Sequence, residues 1–182
     1  MSNLPANVQI WPYLRGEYPR DTLYKIWAMI EEAKASSHLF WGSQDPDAIK
    51  GDLTAICRFF DDPGRALIML ATEDNKDLIG FLWFDDFVPG LRCFGSVFIR
   101  PQYRGKVGNA GIVKACQYVF DVLNVQAIWG ITPWREARSA VIACGFQQVT
   151  VLKAFTKVGD EVLDAHVVKK ERPSDGQHLP KG

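Results

Sequence analysis

The sequence predicts a single-domain α/β (α+β) protein in which a central sheet of about seven strands is flanked by about four helices. Apolar residues recur with strand and helix spacing in the order strand, two helices, three strands, helix, strand, helix and two strands. The length of 182 residues allows one domain with a well-buried core and leaves little room for a second. Apolar residues make up 47% of the chain, which is typical of a globular protein.

The first half of the chain carries the patterns of three strands and two helices. A strand is predicted at Val8–Leu14, and a helix follows with Asp21 as its N-cap. A second helix begins at Asp45-Pro46, because proline suits the first turn of a helix, and it ends before the turn at Asp61 to Gly64. Two dense apolar runs then predict a hairpin whose strands are covered on both faces, at Ala66–Ala71 and Leu78–Phe84.

The second half begins with a strand, a loop and a helix between Gly95 and Leu123. Pro101 ends the strand, and apolar residues recur at helical spacing from Ile112 onward. A further helix is predicted to start at Thr132-Pro133 and to end at Gly145, a residue type that readily adopts the left-handed conformation found after helices. The remaining strands are predicted at Val125–Ile131, Phe146–Thr156 and Glu161–Val168. Residues 1–170 are predicted to form the domain, and 171–182 a flexible polar tail.

Charge and cysteine content exclude several classes of protein. The chain has 21 basic and 21 acidic residues, so it lacks the broad basic excess of a general nucleic-acid binder. Its four cysteines are far apart in sequence, which indicates neither a metal site nor a disulfide framework. No apolar run has the length of a membrane span or the pattern of a signal peptide. We therefore expect a cytoplasmic protein that binds no metal, no nucleic acid and no membrane.

Positive charge is concentrated around the predicted loop before the central helix. No Asp or Glu occurs between Phe87 and Phe120, whereas five basic residues do: Arg92, Arg100, Arg104, Lys106 and Lys114. Glycines allow backbone N–H groups to converge, and the N-terminus of a helix adds unpaired donors. The loop is thus suited to bind an anion such as a phosphate. The alternative is that it is simply a solvated basic turn.

The sequence of this loop resembles the acetyl-CoA motif of the GCN5-related N-acetyltransferase (GNAT) superfamily. It reads Pro101-Gln102-Tyr103-Arg104-Gly105-Lys106-Val107-Gly108-Asn109-Ala110. The pair Gly145-Phe146 after a short helix, and the order of the elements, resemble that superfamily too. The resemblance implies a mixed sheet that splays after the fourth strand. It also implies main-chain contacts to the pantetheine arm of acetyl-CoA, or of another acyl-CoA, from Val97, Phe98 and Ile99. The pyrophosphate would be bound by Arg104, Gly105, Lys106, Val107, Gly108, Asn109 and Ala110.

The implied activity is transfer of an acyl group from acetyl-CoA to a primary amine of a small molecule or a protein, directly in a ternary complex. Such transfer requires a base for the amine. Asp85 and Asp86 are the candidates, because they end the strand that borders the implied acceptor cleft; equally, they are a solvated acidic turn. The aromatic segment from His38 to Trp41 either lines the acceptor pocket or packs on the core.

Four residues depart from the superfamily pattern. Val107 stands at the first motif glycine and Asn109 at a Gly or Ala, while Val141 replaces the tyrosine that acts as general acid and Trp134 an asparagine near the cofactor arm. These departures support an alternative function, a GNAT-like protein without transferase activity that acts as a structural or assembly component, for example of a bacteriophage particle. Self-association or an assembly partner is compatible with both functions. Cys144 is expected to be an inert buried thiol.

Overall fold

The computed structural model describes residues 8–14, 19–33, 39, 53–74, 77–158 and 160–174. The predicted segment His38 to Trp41, apart from Leu39, and the predicted helix start at Asp45-Pro46 lie outside the described residues. The last part of the predicted tail, 175–182, lies outside them as well, and the domain limit at residue 170 stays a prediction.

The described residues form one mixed sheet of seven strands: β1 Val8–Leu14, β2 Ala66–Thr72, β3 Leu78–Val88, β4 Arg92–Ile99, β5 Ala127–Thr132, β6 Gln147–Val158 and β7 Glu161–Glu171. Their order in the sheet is β1-β2-β3-β4-β5-β7-β6. The contact between β4 and β5 is parallel, and every other neighbouring pair is antiparallel. This arrangement confirms the predicted fold class.

In the part of the chain that the structure describes, four α-helices cover the sheet from two sides: α1 Arg20–Glu32, α2 Leu53–Phe60, α3 Lys106–Val122 and α4 Arg135–Ala143. One apolar core lies between α3, the end of α4 and the sheet, and includes Phe84, Ile112 and Phe120. The second core lies between α1, α2 and the β1–β4 half of the sheet, with Ile26 and Phe60 at its centre. Within the described ranges, no helix combines the length and the apolar composition needed to cross a membrane.

Three helix starts differ from the sequence-based expectation. The helix predicted to start at Thr132-Pro133 begins at Arg135, with Trp134 as its N-cap. The prediction that Asp21 caps α1 is wrong: the N-cap is Pro19, two residues earlier, and the Asp21 carboxylate instead lies 2.9 Å from Lys25 one turn on. The central helix α3 begins at Lys106. Residues Lys106–Ala110, which we predicted in the loop, therefore form its first turns. The apolar spacing could not indicate this, because the outer face of a first turn need not be apolar.

Candidate active site

The sheet opens between its two parallel strands. The β4–β5 pairing ends at Phe94 and Trp129, although β4 continues to Ile99 and β5 to Thr132. Alternate residues of a strand direct their main-chain groups to opposite neighbours. The Phe98 carbonyl oxygen points at Gly80 of β3, whereas the Gly95 carbonyl oxygen points toward Gly130 of β5. The predicted splay after the fourth strand is present.

The three predicted pantetheine-binding residues divide into two kinds. Val97 and Ile99 share the register of Gly95, so their main-chain groups face the opening, beyond the last β4–β5 pair. Phe98 has its main chain directed at β3, and its ring packs at a tilt against Phe81 within the second core, with the ring centroids 5.3 Å apart. The geometry therefore favours Val97 and Ile99 as donors and acceptors for an extended ligand, with Phe98 as a core residue.

Free backbone donors lie at the outer end of this opening. The chain turns at Gly105, which has a φ of +92° and open space where a Cβ would stand. The first bond of α3 is donated by Asn109 to the Gly105 carbonyl, at 2.9 Å. Consequently the N–H groups of residues 105–108 have no partner among the described residues, as is usual for the first turn of a helix.

The other predicted phosphate-binding residues have different positions. The Arg104 N–H donates to the Pro101 carbonyl, so its exposed side chain is what remains for a ligand. Lys106 is exposed beside it. Val107 packs against the core, which keeps its branched side chain away from the free amides. Ala110 also packs there, and Asn109 accepts a 3.6 Å hydrogen bond from the Cys144 thiol through its carbonyl.

Gly108 is required by packing. A Cβ at this position would lie 2.8 Å from Ile99 Cγ2 and 2.9 Å from the Tyr103 carbonyl oxygen. The glycine thus lets the start of α3 lie directly on the end of β4, and it places the free amides next to Ile99. The binding role assigned to residues 104–110 by resemblance stays a prediction, with residues 105–108 as its best-placed donors.

We call the point beyond Phe94 and Trp129, where β4 and β5 separate, the apex of the splay. A cavity lies beneath this apex, on the side covered by α3 and α4. Its volume is about 30 Å³ for a water-sized sphere, which is room for about two water molecules. Apart from Ser96, its lining is apolar or glycine, and comes from four strands, two helices and the segment after α4: Leu82, Phe84, Gly95, Ser96, Val97, Ile112, Cys116, Ile128, Gly130, Val141, Phe146 and Val168. Trp134 is not part of this lining. It precedes α4, and its backbone N–H donates to Thr132 Oγ1 at 3.1 Å.

The two candidate bases lie in different surroundings. Asp85 pairs with Phe94, the last β4 residue joined to β5, so it stands one strand from the apex. Its Oδ2 lies 3.5 Å from Arg65 Nε, and its side chain is 34% exposed. Burial raises the pKa of the Asp85 carboxyl above its ordinary value of 3.8, and the charge of Arg65 opposes this only in part. Asp86 is exposed at a φ of +47° and binds Arg92 at 2.9 Å.

Arg65 positions Asp85. Its guanidinium stacks 3.9 Å from the centre of the Phe59 ring, donates to the Phe59 carbonyl and pairs with Asp62 at 3.2 Å. These contacts fix the guanidinium beside Asp85, where the Nε group lies 3.5 Å from Oδ2 as an ion pair and not as a hydrogen bond among the described residues. Nothing in the sequence pattern singled out Arg65, because its partners come from α2, the following turn and β3.

The thiols near the cleft are unsuited to proton transfer. Burial raises the pKa of Cys144 to about 11 and that of Cys116 to about 12. Cys144 is buried, as expected, and its inertness stays a prediction. In the described ranges, no group of three or more His, Cys, Asp or Glu residues is arranged to hold a metal ion.

Sequence analysis missed Gly95 and Gly130, which face each other at the apex. A Cβ on Gly95 would lie 3.0 Å from the Phe84 ring, and one on Gly130 would lie 3.2 Å from Val168 Cγ2. Glycines inside apolar strand patterns are a signal of close approach, so this feature was open to detection from sequence. Together with the amides of residues 105–108, the splay forms a groove with main-chain groups along one side and N–H groups at its outer end.

Solved structures of acetyltransferases share this architecture. The spermidine N-acetyltransferase of Vibrio cholerae in complex with CoA and spermine matches with a TM-score of 0.70 and 17% identity, over 90% of this chain and 95% of that chain. The ribosomal-protein-S5-alanine acetyltransferase of Vibrio fischeri matches with a TM-score of 0.66 and 13% identity, over 90% and 92%. A dodecameric structure of the Vibrio cholerae spermidine enzyme matches with a TM-score of 0.66 and 16% identity, over 90% and 93%.

Comparisons of the sequence with family models and with curated proteins gave no match. The structural likenesses nevertheless extend over nearly the whole chain. The protein has the GNAT fold, as the sequence resemblance predicted.

Proposed function

We propose that this protein is an acyl-CoA-dependent N-acyltransferase. The observation that carries the proposal is the alignment of two sets of unpaired backbone groups along one groove. The N–H groups of residues 105–108, which have no partner in the described ranges, lie at its outer end, and the main chain of Val97 and Ile99 follows inward from them. A pyrophosphate and an amide-bearing arm have the matching chemistry in the same order.

When bound, acetyl-CoA supplies a thioester whose carbonyl carbon takes up the amine, so that a C–N bond forms, the C–S bond breaks and a thiolate leaves. Asp85 accepts the proton that the amine loses, directly or through one water. Main-chain N–H groups at the splay polarise the carbonyl. Because the side chain of Val141 has no ionisable group that could donate a proton, solvent protonates the thiolate.

The acceptor is a primary amine. The compared enzymes are named for acetylation of spermidine and of an alanine of a ribosomal protein, so this fold serves both small-molecule and protein amines. Both classes remain candidates here. We also propose a cytoplasmic location and self-association, the latter because a compared enzyme forms a dodecamer.

Binding of CoA should stabilise the protein measurably. A ligand at about a hundred times its dissociation constant adds about 2.7 kcal/mol to the free energy of unfolding. For a chain of this length that corresponds to a rise in Tm of roughly 5–10 °C. Differential scanning fluorimetry with CoA measures it. No shift at millimolar CoA would contradict the proposal and favour the noncatalytic, structural alternative.

Loss of the two basic side chains beside the free amides should weaken CoA binding. Arg104→Ala and Lys106→Ala each remove a charge-assisted contact, for which we expect about a tenfold loss of affinity by isothermal titration calorimetry. Lys157→Ala is the matched control, because Lys157 pairs with Asp160 in the β6–β7 hairpin, at 3.6 Å. Equal losses in all three variants would show that the effect is one of overall charge.

A further inference from the structure

We propose that the cavity beneath the splay binds the acyl chain, and that the protein's cosubstrates are short-chain acyl-CoAs longer than acetyl-CoA, such as propionyl- and butyryl-CoA. This inference rests on the proposed acyltransferase function and specifies its substrate class.

The cavity lies where the far end of a bound CoA arm would reach. The amides of residues 105–108 have no partner among the described residues, and Gly108 holds them against Ile99. A ligand arm that pairs with Ile99 and then with Val97 advances along β4 toward Gly95. Gly95, Ser96 and Val97 line the cavity. The far end of the arm, which carries the acyl group, therefore reaches the mouth of the cavity.

The lining of the cavity is almost entirely apolar. Across the apex, the cavity wall is made by Ile128 and Gly130, and its roof by Ile112 and Cys116 of α3 and Val141 of α4. The Cys116 thiol stays protonated, since burial raises its pKa to about 12. Such a lining offers hydrocarbon contacts and no charge, so it suits a hydrocarbon chain better than a carboxylate or an amine.

The small side chain of Val141 leaves room in the cavity. Val141 contacts the core and borders the cavity from α4. The tyrosine that the superfamily pattern places here is much larger than valine and would occupy space that valine leaves open. The same substitution that removes a proton donor thus enlarges the chamber next to the apex.

The test is a binding series with the wild-type protein and CoA, acetyl-CoA, propionyl-CoA and butyryl-CoA, measured by isothermal titration calorimetry. Burial of each added methylene should tighten binding about fourfold, so butyryl-CoA should bind about tenfold or more tightly than acetyl-CoA. Equal or weaker binding of butyryl-CoA overturns this inference and leaves the proposed function intact. If no CoA compound binds, the proposed function itself is refuted.

Variants locate the effect in the cavity. Val141→Phe fills the cavity and should reduce the butyryl-to-acetyl ratio of affinities to about one. Ile142→Phe is the matched control, because Ile142 is the next residue of α4 and is 41% exposed, and this variant should keep the ratio. Val141→Ala removes two methyl groups from the cavity wall and should extend the preference to hexanoyl-CoA. A retained ratio in Val141→Phe would overturn the assignment.

Discussion

Replacing Asp85 with Asn should lower kcat for acyl transfer by about a hundredfold or more, with the affinity for CoA unchanged. Removal of a general base typically costs two to four orders of magnitude, about 3–5 kcal/mol in activation free energy. Asparagine is nearly isosteric and keeps the contact to Arg65, so folding should persist. Initial rates are measured with the amine that reacts fastest in a panel of polyamines, amino acids and peptides with free N-termini.

The control is Asp86→Asn, which changes the neighbouring carboxylate. Asp86 is exposed and already pairs with Arg92, so its loss should change kcat by less than about threefold. Equal rates in wild type and Asp85→Asn would remove Asp85 as the base. Equal losses in both variants would indicate a general electrostatic effect of this acidic pair.

The pH dependence should identify Asp85 independently. A base works only when deprotonated, so kcat/KM should fall as pH drops through the pKa of Asp85. Burial raises that pKa, and the acid limb should therefore lie above the 3.8 of an ordinary aspartate. Arg65 lowers the pKa by its charge, so Arg65→Met should move the limb to higher pH. A limb that does not move would exclude Asp85 as the titrating group.

Replacing Gly80 with Ala should destabilise the protein by about 3 kcal/mol, the upper end for adding an atom to a packed interior. A Cβ at position 80 would overlap the Phe98 carbonyl oxygen and lie 3.0 Å from Ile99 Cα. Both neighbours are backbone atoms, so relief requires β3 and β4 to separate. Urea unfolding followed by circular dichroism measures the loss, which corresponds to a fall in Tm of roughly 6–12 °C.

Gly64→Ala is the control for this substitution. Its Cβ would meet only the Asp62 side chain, at 3.1 Å from Oδ1, and an exposed side chain can move. We expect a change within about 0.5 kcal/mol. If Gly80→Ala were as stable as Gly64→Ala, the close approach of β3 and β4 beside Val97 and Ile99 would be wrong, and with it the placement of the groove.

Much of the fold follows from local patterns. The order of the elements was correct along the described chain, and β1 has the predicted bounds, Val8–Leu14. Gly145 follows α4 with a φ of +88°, as its residue type indicated. Strand bounds were less certain: β3 extends to Val88 and β4 begins at Arg92, because pairing with a neighbouring strand prolongs a strand beyond its apolar run.

The candidate site was predictable only in part. The sequence by itself determined the element order and the basic, glycine-containing turn, since periodicity, capping and charge are properties of neighbouring residues. Only the tertiary structure decided which amides remain free, which carboxylate Arg65 holds, and that Gly95, Gly130 and Val141 border one cavity. Those features join residues distant in sequence, and they depend on where two parallel strands stop pairing, which no local pattern encodes.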